Sequence, residues 1–288
     1  ASNERYEFLT ENLRFYGRIV GGNEISGSRS HRQERTRKAA GYYYGAITKF
    51  ISPGELVTLL PKMLGAAAAG TTFALAETLP YIGALVTRDT GTFEYQDGMV
   101  DRWILRGRAP ELGEESEPDP LHLTLFCIFS QETKDVAAYP GTEPALGTTL
   151  AYYPLTFADS TGAVTLSGSA KHISEFVLAG DNRVKARYTN SLNPTSLRPR
   201  DRIIKLRVRM PWNADNDDMY GETYLGAAAS IVFTNSTVST TFTFGRLQVP
   251  DHTPCAENGR EEIEYIREGQ CRQITTTKEL VVTNDSTV

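Results

Sequence analysis

The chain has 288 residues, 40% apolar and 23% charged, with a net charge of −5. That length accommodates two modules of ordinary domain size, each able to bury its own core without staples. No apolar run reaches the roughly 18 residues of a membrane-spanning helix, the acidic balance argues against nucleic-acid binding by bulk charge, and no secretory signal is expected from the start Ala1-Ser2-Asn3-Glu4-Arg5-Tyr6.

Strand signals dominate, and one succession of signals occurs twice about 160 residues apart. The first passes from Gly27-Ser28-Arg29-Ser30 through an Arg-rich stretch to a strand over 40–50, a helix signal and Leu64-Gly65. The second passes from Tyr188-Thr189-Asn190-Ser191 through an Arg/Pro-rich stretch to a strand over 202–212, a weaker helix signal and Leu225-Gly226. Overlaid at an offset of 162, Tyr42, Tyr44, Ala46, Thr48 and Phe50 match Ile204, Leu206, Val208, Met210 and Trp212. Strand residues two apart share a face, so both sets are expected to face the core. Lys205, Arg207 and Arg209 then lie on the opposite face, which is either solvated or turned toward another subunit or a lumen.

The first helix is well marked. Ser52 suits the N-cap, Pro53 the first helical position, and Glu55 completes a capping box. Leu56, Leu59, Leu60, Met63 and Leu64 form one apolar stripe for the core. Pro61 is expected to bend or shorten the helix, and Gly65 to end it. In the second half, Asp215 or Asp217 caps a shorter turn. Further strands are expected over 80–88, 92–95, 99–106 and 121–129, then over 228–234, 239–249, 261–266 and 276–282. Gln96-Asp97-Gly98 reads as a hairpin turn and 109–120 as an exposed acidic insertion. The Pro- and Gly-bearing stretch 132–147 reads as a connector, dividing the chain into modules at 1–131 and 148–288.

Charge is unevenly spread. Arg29, Arg32, Arg35, Arg37 and Lys38 form one basic cluster, and Arg198, Arg200, Arg202, Lys205, Arg207 and Arg209 another. Acidic clusters occupy Glu111–Asp119 and Asp215–Asp218. Opposite patches on one chain suit self-association as well as an anionic ligand.

Catalytic signals are weak. His31, His122, His172 and His252 are scattered, and the chain has no Gly-x-Ser-x-Gly and no phosphate-loop sequence. Asp215, Asp217 and Asp218 begin like a calcium loop but lack its glycine and closing glutamate, so helix-capping acids are the better account. Asn235-Ser236-Thr237 reads as a chance acceptor sequence in a Thr-rich strand region. Cys127, Cys255 and Cys271 lack metal-type spacing. Cys127 is expected to be a buried small hydrophobe, while both free thiols and a Cys255–Cys271 pair across a candidate hairpin fit the sequence. The expectation is a protein with no enzymatic activity, cofactor or metal.

The order of these segments resembles the tail tube proteins of tailed bacteriophages, in the branch with a duplicated tube fold. The likeness rests on Gly27-Ser28-Arg29-Ser30-His31, Tyr44-Gly45-Ala46-Ile47, Ser52-Pro53-Gly54-Glu55-Leu56 through Leu64-Gly65, and Phe93-Glu94-Tyr95-Gln96-Asp97-Gly98-Met99-Val100. In the second half it rests on Val177-Leu178-Ala179-Gly180-Asp181-Asn182, Ala186-Arg187-Tyr188-Thr189-Asn190-Ser191, Asp201-Arg202-Ile203-Ile204, Asp217–Leu225 and Glu279-Leu280-Val281-Val282-Thr283. No single motif is specific, but their order is, and the acidic stretch 109–120 and the Cys-bearing hairpin depart from the pattern.

The resemblance implies a mainly β fold of two tandem tube modules, each a β-sandwich that contributes to a shared barrel and carries a short flanking helix. It implies self-assembly into stacked rings that form the tail conduit in the virion, after assembly in the host cytoplasm. Trimeric rings of pseudo-sixfold symmetry are expected over hexamers. Implied partners are further copies of the chain, the tape-measure, tail terminator and distal tail proteins, and double-stranded DNA in transit without specific binding, with no membrane. The basic arms are expected to engage acidic surfaces of adjacent subunits. Two alternatives are the inner tube of a contractile tail or secretion machine, whose modules are generally single, and a duplicated β-sandwich binding or decoration protein, which should expose aromatics on loops.

Overall fold

The computed structural model describes residues 5–21, 36–66, 68–89, 91–108, 120–136, 154–157, 163–166, 168–211, 227–235, 238–249, 264–274 and 278–285. The first half contains β1 (Thr10–Glu11), β2 (Arg14–Gly21), β3 (Thr36–Phe50), α1 (Pro53–Leu64), β4 (Thr72–Ala74), β5 (Ile82–Arg88), β6 (Gly91–Arg108), β7 (His122–Phe129) and β8 (Gln131–Lys134). The remainder contains β9 (Thr156–Phe157), β10 (Val164–Leu166), β11 (Ser169–Ala170), β12 (Glu175–Asp181), β13 (Lys185–Arg187), β14 (Ser196–Arg198), β15 (Ile203–Pro211), β16 (Ala227–Asn235), β17 (Val238–Gln248), β18 (Glu264–Arg272) and β19 (Leu280–Asp285). The protein is mainly β. Seventeen of these strands form one antiparallel network, and β13–β14 form a separate hairpin.

One pairing order appears in each half. In the first, β2 pairs β3, β3 pairs β7 and β7 pairs β6. In the second, β12 pairs β15, β15 pairs β18 and β18 pairs β17. The third strand by sequence, β6 or β17, changes partners along its length. Its N-terminal part pairs β5 and β8 in one half, and β16 and β19 in the other. The halves meet edge to edge where β6 pairs β12 from Arg102↔Asp181 to Arg108↔Glu175. The result is a run of eight strands, β2-β3-β7-β6-β12-β15-β18-β17.

The helix follows from its sequence. Ser52 is extended and its hydroxyl accepts from the Glu55 N–H, while Gly65, at φ 94, ends the helix with its N–H on the Pro61 carbonyl. Such a left-handed terminus favours glycine because a Cβ is penalised there. The helix runs past Pro61 to Leu64 instead of stopping at it. Leu56, Leu59, Leu60, Met63 and Leu64 are buried in one cluster with Phe73 and Trp103 from the first half and Leu178, Leu206, Phe242 and Leu280 from the second. α1 packs on β4, β6, β17 and β19. The Asn284 amide donates to the Pro53 carbonyl, so the start of α1 is tied to the last strand. A single core thus spans both halves.

Several expectations change. Gln96-Asp97-Gly98 is not a hairpin turn but lies inside β6, with Asp97 at φ 51. The hairpin closes earlier, at Arg88↔Gly91, and the Asp97–Gly98 irregularity marks where β6 exchanges β8 for β7. A Cβ on Gly98 would lie 2.2 Å from the Phe129 ring, so glycine is needed there for close approach. The strand expected over 261–266 is β18 and continues through Cys271, which lies within it as a buried free thiol. The expected connector begins inside β8, since 132–134 belong to that strand. Residues 137–147, the acidic stretch 109–119, the helix signal at 212–226 and Cys255 lie outside the described residues.

The core face of β3 is also corrected. Ile204, Leu206, Val208 and Met210 are buried as expected. On β3, however, Tyr43 and Ile47 face the main core, with Gly45 and Lys49 buried beside them. Tyr42 and Tyr44 face the other way, into a small cluster of Leu79, Met99, Ile128 and Leu197. Phe50 is half-buried against His122, with ring centroids 4.8 Å apart. An offset of 161 (204 − 43) brings the two core faces into register. A one-residue slip moves every side chain to the opposite face, and three consecutive tyrosines hide the slip from an alternation rule.

Candidate functional site

Three surfaces stand out: the ends of the eight-strand run, the hairpin over 183–200, and the open sheet face opposite the core. The junction inside the chain shows how two edges can join. Trp103 of β6 is buried over Gly180 of β12, where a Cβ would lie 2.2 Å from the indole ring. Asn182 locks one end of this junction. Its amide donates to the Met63 carbonyl at 3.2 Å and the Val100 carbonyl at 3.0 Å, and its N–H donates to the Asp101 carbonyl. The Asp101 carboxylate accepts from the Val184 N–H and the Tyr44 hydroxyl. Burial is the main cause of the raised Asp101 pKa.

The two outer ends are different. Among the described residues β2 pairs only with β3, so its other edge faces no described strand. At the opposite end β18 meets β17 only through Gln270–Arg272, so residues 264–269 have β15 on one side and no described strand on the other. Near the β2 end, Phe8 is 46% exposed and Leu9 47% exposed, and Phe15 and Tyr16 are exposed as well. Glu11 fixes this segment from behind. Its carboxylate accepts from Arg88 Nε at 3.0 Å and from an Arg88 terminal nitrogen at 2.7 Å, and Arg88 also donates to the Tyr95 hydroxyl and the Leu13 carbonyl.

The second basic arm is folded against its own chain. β13 and β14 pair from Lys185↔Arg198 to Arg187↔Ser196. Leu197 is buried with Met99 and Ile128, the Leu192 carbonyl accepts from the Gly41 N–H, and the Tyr81 hydroxyl donates to the Leu197 carbonyl. Arg198 and Arg200 remain exposed. Arg202 is held inside the chain, donating to the Ala76 carbonyl at 2.8 Å and pairing with Glu279 at 3.4 Å. Of the first arm, Arg37 is exposed on β3, Lys38 pairs through its backbone with Ile19, and Arg29, Arg32 and Arg35 lie outside the described residues.

Lys205, Arg207 and Arg209 lie on the face opposite the core, as expected. Leu56, Leu59 and Leu60 are core residues, and Trp212 lies outside the described residues. Gly180 and Asn182 entered the sequence reading only within the segment Val177–Asn182, and Trp103 and the Glu11–Arg88 pair did not enter it. Gly180 inside a strand carried the one available signal, since an interior glycine marks close approach. Among the described residues no cluster of three His, Cys, Asp or Glu side chains is placed to hold a metal ion, and no helix is long and apolar enough to cross a membrane. No family model matches the chain, and no curated protein is significantly similar to it.

Proposed function

We propose that this chain is a structural protein of a phage tail tube, built from two tandem tube modules that assemble through their sheet edges into stacked rings. The carrying observation is the β6–β12 junction, where the edges of two strand sets with the same internal order pair antiparallel. An unpaired edge is a template for another strand, and a head-to-tail contact of this kind closes into a ring when its rotation is right. Repeating the junction between chains joins the β2 end of one copy to the β17–β18 end of the next. Three copies of an eight-strand run then close a ring of 24 strands around a bore. The face carrying α1 and the single core lies outside, and the open face lines the channel. The passenger is the phage genome, with the tape-measure, terminator and distal tail proteins as further partners.

Chain direction supports axial stacking. β3, β6 and β15 run parallel to one another through their antiparallel neighbours. The chain therefore enters β3 and β15 at one end of the sheet, and in sequence a basic stretch precedes each. It leaves β6 and β15 at the other end, and in sequence the acidic stretches 111–119 and 215–218 follow Arg108 and Pro211. Rings stacked in one orientation bring opposite charge together at each interface.

The edge contact is tested by Phe8→Asp combined with Leu9→Asp. Both side chains are about half exposed, so the variant should melt as the parent does, within about 0.5 kcal/mol. Sedimentation should nevertheless show loss of self-association. A double variant that assembles like the parent would count against the β2 end as a contact.

A further inference from the structure

Alternation along four neighbouring strands sends one set of side chains to the open face. On β6 these are Arg102, Arg106 and Arg108, on β12 Glu175 and Asp181, on β15 Lys205, Arg207 and Arg209, and on β18 Glu268 and Arg272. Among the described side chains seven cations there meet three carboxylates, although the whole chain carries −5. Pairing places Arg106, Val177 and Arg207 in one row across β6, β12 and β15. Two strand spacings, about 9.5 Å, separate the backbones of the two arginines. The carboxylates only partly offset the cations. Glu175 is shared between Arg106 at 3.4 Å and Arg209 at 3.7 Å, and Glu268 takes Lys205 at 3.0 Å. Arg102 lies 4.0 Å from the centre of the Phe126 ring. The corresponding face of β2, β3 and β7 is aromatic instead, with Tyr16, Tyr42, Tyr44, Phe50, His122 and Phe126.

We propose that this cationic band is a phosphate-binding track for duplex DNA, so that the channel wall grips its passenger along one stripe per chain. The proposal rests on the tube reading for its place in the bore, but the binding is a property of the face itself. Six of the seven cations are arginines, whose planar forks match phosphate oxygens. Between them lie Ile104, Val177, Ala179, Ile203 and Ile266, all half-buried, and none of the described band residues on these four strands is an aromatic that could anchor a protein partner. Phosphate contacts position a duplex without reading its sequence, as a conduit requires. The acidic balance of the whole chain argues against nucleic-acid binding by bulk charge, and this face would give weak, salt-dependent retention instead.

The test is fluorescence anisotropy of a labelled random-sequence duplex of about 20 base pairs with the full chain, between about 50 and 200 mM salt. Affinity should fall steeply as salt rises. Replacing Arg102, Arg106 and Arg207 together by Gln should weaken binding at least about tenfold at the lowest salt and reduce the log–log salt slope by about 3. Arg106→Lys with Arg207→Lys keeps the charge and should bind within about threefold of the parent, which separates lost charge from lost folding. Arg198→Gln with Arg200→Gln, on the hairpin, should leave binding unchanged. Unchanged affinity in the triple variant, loss in the hairpin variant alone, or equal affinity for polyglutamate would overturn the track. Rings seen by microscopy alongside unchanged DNA affinity in the triple variant would sink the track and spare the tube. Absence of rings with face-dependent DNA binding intact would do the reverse.

Discussion

Gly180 is where the two halves come closest, and its missing side chain makes room for Trp103. The indole is buried and would lie 2.2 Å from a Cβ at 180, so a methyl group there must displace it or spread β6 from β12. Gly180→Ala should therefore cost about 1–3 kcal/mol, as overpacking of a filled core does, read as a lower urea midpoint at unchanged slope. The buried thiols make a separate prediction. Burial pushes both Cys127 and Cys271 up from 9.0 to about 12. A thiol whose pKa is raised on folding binds its proton more tightly in the folded chain. The stability this supplies is complete below pH 9 and is lost as pH rises toward 12. Thermal melts should show that decline, and Cys127→Ala with Cys271→Ala should flatten its onset, just above pH 9, despite a lower starting stability. Melts of the parent that stay level from pH 9 to 12 would contradict the assignment.

The helix shows how well strong local signals translate into an element. Ser52, Pro53, Glu55, the leucine stripe and Gly65 each specify a boundary or a face, and all occupy those places. Replacing Ser52 by Ala should cost about 1 kcal/mol by freeing the Glu55 N–H. Leu60→Ala, deep in the shared core, should cost about 2–5 kcal/mol in the same urea titration. Equal costs for the two would mean that α1 is held by its cap and not by its buried stripe. The main strands of the first half were legible in outline, as was the buried face of β15, where basic and apolar residues alternate cleanly. The face of β3 was not, because Tyr42, Tyr43 and Tyr44 offer an aromatic side chain to both sides. Nor was the passage of β6 through Gln96-Asp97-Gly98, since turn chemistry also suits an irregular strand crossing between partners. The fold of the 183–200 arm was hidden because its anchors, Gly41 and Tyr81, lie more than 100 residues away.

At the scale of the whole molecule, the chain is a strip with two unlike ends and two unlike faces. One face is closed by a core shared between the halves; the other is aromatic along β2, β3 and β7, where the 183–200 hairpin packs against Tyr42 and Tyr44, and basic from β6 to β18. Among the described residues each end carries a strand edge with no partner strand, and the in-chain junction offers a template for joining them. On the proposed ring reading, pairing between copies would leave no edge exposed, and two similar strand sets in one chain would halve the number of subunits needed to close a circle. Negative-stain electron microscopy of the purified chain at high concentration tests this most directly. The account predicts rings or stacked tubes with a central hole, whose end views average to three chains in pseudo-sixfold order. Uniformly monomeric particles at that concentration would contradict it.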